Sequence, residues 1–180
     1  MGEDNEINAA RDGDSVDVML AEWRSEWPEL DVSSSAVMAR LLRAARLVEE
    51  LLATRLRRSA EMPIANVGDF DLLQALRRSG APYALTPGQL RQALVVSSAG
   101  LTGRLKRLEG EGWIERCPSP VDGRSTLVRL TEEGRARFDR TVERHFQVER
   151  DVLSVLDPEE RTVIADALRK LLLSLKQDTR

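Results

Sequence analysis

Apolar residues recur every three or four positions over most of the chain, and the repeat gives way to alternation in one place only. In VDVMLAEWRSEW, the residues Val18, Leu20, Trp23 and Trp27 predict a short amphipathic helix closed near Pro28. From Ser33 to about Arg58 the helical period runs through Val37, Leu41, Ala44, Ala45, Val48, Leu51, Leu52 and Leu56, with Leu42 and Leu47 widening the face. A helix of that length exceeds the soluble average and needs more than one packing partner. Asn66 caps VGDFDLLQALRRSG, which Gly80 stops, and Thr86-Pro87-Gly88-Gln89 is a capping box opening a helix to about Leu94. Ser97 or Ser98 caps the next helix, which Gly110 and Gly112 end. WIERC and STLVRL then alternate as two strands around a Val-Asp-Gly turn. Thr131 caps a long helix to about Leu156, and Asp157-Pro158-Glu159-Glu160 opens the last one.

Three helices followed at once by a hairpin predict an α+β, mainly α fold, a winged helix-turn-helix whose motif helices are residues 86–94 and 97–109. The chain divides into an acidic disordered lead (1–16), N-terminal helices (17–60), a DNA-binding lobe (61–130) and C-terminal helices (131–180). The outer helices exceed what a winged lobe needs. The last one has a wide face of Val163, Ile164, Ala167, Leu168, Leu171, Leu172 and Leu175, read with residues 33–58 as a dimer interface. A two-fold homodimer implies a palindromic operator in double-stranded DNA.

Drawn at 100° per residue, the second motif helix turns Leu101, Leu105 and Leu108 inward and Ala99, Thr102, Gly103, Lys106 and Arg107 outward. Small residues at its start, Ser97, Ser98 and Ala99, let backbone approach a major groove, and its free N–H groups suit phosphate. Thr102, Lys106 and Arg107 complete the predicted DNA face, and Arg124 at the hairpin tip is placed for a minor groove. The competing reading is a solvated basic helix face; the order of helix, turn, helix and wing favours DNA.

Charge changes the picture only once it is divided along the chain. The net charge of −3 argues against a nucleic-acid partner, yet residues 1–31 hold ten acidic residues against two arginines. The remaining body carries 25 basic against 20 acidic residues. One histidine, His145, and one cysteine, Cys117, leave little material for a metal site or catalysis, and no phosphate-binding or nucleophile motif occurs. An enzyme is therefore not expected, nor a cofactor. The polar N-terminus is no signal peptide, no run is long enough for a membrane span, and a lone cysteine suits the cytoplasm.

The stretches DFDLLQALRRSG, LTPGQL, SSAGLTGRLKRLEGEGWIER and DGRSTLVRLTEEG resemble the MarR family of bacterial transcription regulators over nearly the whole chain. The segment RSEWPELD further resembles the urate-responsive branch of that family. The resemblance implies a site for a small anion, lined by Trp27, Asp71 and Arg104 with Arg116 in support, and Ser35 as a further contact. Trp23 rivals Trp27; alternatively, both tryptophans plug the N-terminal helix onto the body. Urate is the effector the branch implies, while xanthine, citrate- or aconitate-like carboxylates and phenolic acids also suit an arginine-lined pocket. Independently of the family, Arg104 sits about 60° from the buried centre of its helix, badly placed for DNA and well placed to meet a ligand beneath it. The bland alternative is a structural Arg104–Asp71 salt bridge. An anion on Arg104 would repel Asp71 and shift the reading helix, releasing DNA and relieving repression. A rival mechanism is redox sensing through Cys117, beside Arg116.

Overall fold

Every helix described begins where a short polar side chain takes up free N–H groups of its first turn. The computed structural model describes residues 13–58, 64–94, 96–119 and 125–177, so most of the acidic lead and the hairpin tip lie outside the described residues. The chain forms two compact units, one up to Leu51 and one from Leu52. That boundary falls inside the segment 17–60.

In the first unit, α1 (Ser15–Glu26) starts within the stretch read as a disordered lead. The cause is a full capping box: Asp14 accepts from the backbone N–H groups of Val16 and Asp17, and Asp17 accepts from that of Asp14. Val16 and Leu20 bury against Val32 and the start of α2 (Ser33–Arg57), including Ala36 and Ala39. Arg40 of α2 reaches back to Asp14 and Asp17, with nitrogen–oxygen distances of 2.8 and 2.6 Å. Both carboxyls are thereby held below the usual aspartate range. Trp23 and Trp27 are both exposed. Val37, Leu42 and Leu47 of α2 are exposed as well.

The second unit takes the end of α2 from Leu52 and adds α3 (Val67–Arg78), β1 (Ala84–Leu85), α4 (Pro87–Leu94), α5 (Ser98–Gly110), β2 (Ile114–Pro118), β3 (Thr126–Leu130), α6 (Glu132–Val152) and α7 (Pro158–Gln177). A short 3₁₀ turn, Leu153–Val155, ends the long helix earlier than the predicted Leu156. The strands form one antiparallel sheet in the order β1-β3-β2, with Arg116 opposite Val128 and Ala84 opposite Arg129. The two-residue β1 is too short to show an alternation and was not predicted. The core gathers Phe70, Leu72, Leu73 and Leu76 from α3, Leu90 from α4, Leu101, Leu105 and Leu108 from α5, and Trp113, Val128 and Phe138 around the sheet.

Gly134 fixes how closely α6 packs on the hairpin. A Cβ there would overlap the backbone carbonyl of Trp113, which cannot rotate away. Gly134→Ala is expected to destabilise the protein by roughly 1–3 kcal/mol, as overpacking against rigid backbone does, with a matching fall in the denaturant midpoint. The apolar side of α7 is not covered: Val163, Ile164, Leu171, Leu172 and Leu173 are all exposed.

Candidate nucleic-acid interface and effector site

The reading helix α5 is capped by Ser97, whose hydroxyl accepts from the Gly100 N–H at 3.1 Å. Ser97, Ser98, Ala99, Thr102, Lys106 and Arg107 are exposed, while Leu101, Leu105 and Leu108 are buried. Thr102 donates its hydroxyl proton to the Ser98 carbonyl at 2.9 Å, leaving its methyl outward. Arg124 lies outside the described residues.

Arg107 is exposed, as the wheel predicts, but its guanidinium is already engaged. Its guanidinium grips Asp69 with Nε at 2.8 Å and Nη2 at 2.6 Å. Asp69 is fully buried at the start of α3, where Asn66 caps it and also donates to its carboxylate at 3.1 Å. A buried carboxylate requires a counter-charge, and Arg107 is the one supplied. The helical wheel accounts for this pairing. Arg107 follows Arg104 by three residues and shares its flank of α5, which faces α3.

Arg104 is half-buried on that flank and donates from Nη1 to the Gly68 carbonyl at 3.3 Å. It makes no salt bridge with Asp71, so the bland structural pair is not formed. The two interact through space instead. Partial desolvation lifts the Asp71 carboxyl above its ordinary range, against the pull of Arg104, His145 and Arg78. His145 is the residue that sequence reasoning undervalued. It is buried on α6, stacks on Phe70 with centroids 3.8 Å apart, and meets Glu149 through Nε2 at 3.1 Å. Asp71 on α3 thus interacts electrostatically with both Arg104 on α5 and His145 on α6. The only cue in the sequence was the i,i+4 spacing of His145 and Glu149.

Desolvation holds the His145 pKa below its ordinary 6.5, although Glu149 and Asp71 pull it upward. The folded protein therefore binds the proton less readily than the unfolded chain. This contribution to stability is complete above about pH 6.5 and is lost as pH falls through the folded value. Thermal melts between about pH 7 and about pH 5 are expected to show a decline, and His145→Phe should flatten it.

Arg116 is not brought to Arg104 and Asp71. It extends from β2 and donates from Nε to Glu109 at 3.1 Å, on the opposite flank of α5. There it lines a groove with Arg91, Ser98 and Thr102. Arg91 was absent from the sequence-based set; it is the only cation of α4. Trp27 and Ser35 lie in the first unit, Trp27 as the exposed C-cap of α1 and Ser35 half-buried in the first turn of α2. Cys117 is the half-exposed free thiol of β2. Among the described residues no cluster of three metal-ligating side chains occurs, and no helix is long and apolar enough to cross a membrane.

A capped reading helix preceded by a short helix and followed by a two-stranded wing, to which β1 adds a third strand, defines a winged helix-turn-helix DNA-binding protein. Residues 65–125 match the model of the MarR family. The chain is 41% identical over 150 residues to the transcriptional regulator PecS of Dickeya dadantii, covering 82% of this chain and 86% of PecS. The fold matches Sco3205, a MarR family regulator of Streptomyces coelicolor crystallised with DNA, at a TM-score of 0.72 and 28% identity, over 81% of this chain and 89% of that one. It also matches Bordetella bronchiseptica BpsR, whose DNA binding is regulated by 6-hydroxynicotinic acid, at a TM-score of 0.62 and 27% identity, over 74% and 91% of the two chains. The chain belongs to the MarR family and is a DNA-binding transcriptional regulator, not an enzyme. Its likeness to PecS is consistent with the branch the N-terminal segment suggested.

Proposed function

We propose that the chain is a homodimeric repressor that leaves a palindromic operator when a planar anionic metabolite, urate foremost, binds at Arg104. The observation that carries this reading is the state of Arg104 itself. It is a half-buried cation on the reading helix, held among the described residues by one 3.3 Å bond to a carbonyl and by no carboxylate. Its remaining N–H groups suit a flat anion, and such an anion would lie beside the Asp71 carboxylate. Repulsion of Asp71 then favours a shifted α5, and the operator-binding state loses population. The regulation of BpsR by another flat, ring-bearing acid supports this ligand class. The uncovered apolar faces of α2 and α7 support a second copy of the chain as partner.

The test is a gel shift on the DNA upstream of the chain's own gene, titrated with urate, xanthine, 6-hydroxynicotinate and aconitate. Wild type is expected to release DNA with one of the planar acids. Arg104→Ala is expected to raise the anion concentration needed by roughly 10- to 100-fold, the loss of a charge-assisted hydrogen bond of about 1.5–3 kcal/mol. Absence of release from wild type by every anion sinks the effector reading and leaves DNA binding standing.

A further inference from the structure

A helix lying in the major groove has a phosphate strand along each flank, and the side chains on each flank decide which strand it can hold. The two flanks of α5 are furnished unequally. On one, Arg104 donates to the Gly68 carbonyl and Arg107 pairs with buried Asp69, so both guanidiniums lean towards α3. On the other, Ser98 and Thr102, with Leu101 and Leu105 beneath, border a groove of about 290 Å³ that Arg91 and Arg116 flank from α4 and β2.

The two arginines reach this groove from different elements. Arg91 donates from Nη1 to the Ser98 hydroxyl at 3.2 Å, which parks its guanidinium at the first turn of α5, and among the described residues it forms no salt bridge. Among the described residues Arg116 is paired through Nε alone, to Glu109 at 3.1 Å, which orients the side chain. The adjoining first turn of α5 carries no acidic side chain, so its N–H groups add to the positive end of the groove.

The geometry points to Arg91 and Arg116 as a pair that grips one DNA phosphate strand along the Thr102 flank of α5. In that arrangement Arg116 serves the DNA and not the effector. The inference rests on α5 being the helix that enters the major groove. Each arginine neutralises one phosphate per protomer, so each removes about 0.9 from the slope of log affinity against log salt, the value for counterion release from duplex DNA.

The experiment measures fluorescence anisotropy over a salt series with two duplexes, the upstream DNA of the chain's own gene and a random-sequence duplex of the same length. Arg91→Gln and Arg116→Gln are each expected to lower the salt slope by about 0.9 per protomer and to weaken both duplexes by the same factor. Arg91→Lys and Arg116→Lys should restore the slope, because the charge is kept. Thermal melts of the four variants should match wild type. Unchanged salt slopes in both Gln variants overturn the pair. So does an Arg116→Gln protein that keeps its slope but no longer releases DNA with urate, since Arg116 would then belong to the effector. Wild-type protein with no salt-dependent binding to either duplex would instead overturn the reading of α5 on which the pair depends.

Discussion

Arg107→Ala is expected to lower the melting temperature by on the order of 10 °C. Asp69 is fully buried, and Arg107 provides two of the hydrogen bonds that make its charge tolerable there. With the arginine gone, one side-chain donor remains, Asn66 at 3.1 Å. Stranding a buried carboxylate costs several kcal/mol; because Arg107 itself is partly exposed, we put the loss at roughly 2–4 kcal/mol. That converts to a shift of on the order of 10 °C in a chain of this size. The double variant Asp69→Ala with Arg107→Ala should recover much of the loss, because the buried charge leaves with its partner. Differential scanning calorimetry of the two variants separates this from a DNA-contact role. A contact would weaken operator binding and leave the melt where it was.

The second large effect is expected from the smallest change. A Cβ on Gly68 would occupy the space of the Arg104 guanidinium. Unlike the backbone carbonyl that faces Gly134, that group is the far end of a flexible side chain and can swing away. Gly68→Ala should therefore melt within about 2 °C of wild type, helped by the better helix propensity of alanine. It should nonetheless need at least about tenfold more urate to release DNA, since Arg104 no longer rests against α3. Gel shifts and melts on the same preparation check both halves. An unaltered urate response in a folded Gly68→Ala protein would show that the seat of Arg104 on Gly68 is irrelevant to signalling.

These two variants mark where local pattern ceases to determine the site. The caps at Asn66, Thr86, Ser97, Thr131 and Asp157 were legible because each joins a polar side chain to N–H groups three residues away. The alternation of the two strands and the inward stripe of Leu101, Leu105 and Leu108 were legible for the same reason, and together they indicated the winged fold. Arg104 was separable from the DNA face by its angle on the helix alone. Its near neighbour Arg107 was not, because the carboxylate that claims it lies 38 positions earlier in the chain.

What the sequence by itself determined is the α-helices, the β2–β3 hairpin, their order and the reading helix, since these follow from periodicity and capping within a few residues. Only the tertiary structure decided which arginine serves which partner. It turned Arg107 onto buried Asp69, drew Arg116 to Glu109 and Arg91 to Ser98, and placed His145 against Phe70 near Asp71. A guanidinium sits at the end of a long, flexible stem, so its partner is set by whichever carboxylate, carbonyl or open groove the packed fold brings within reach.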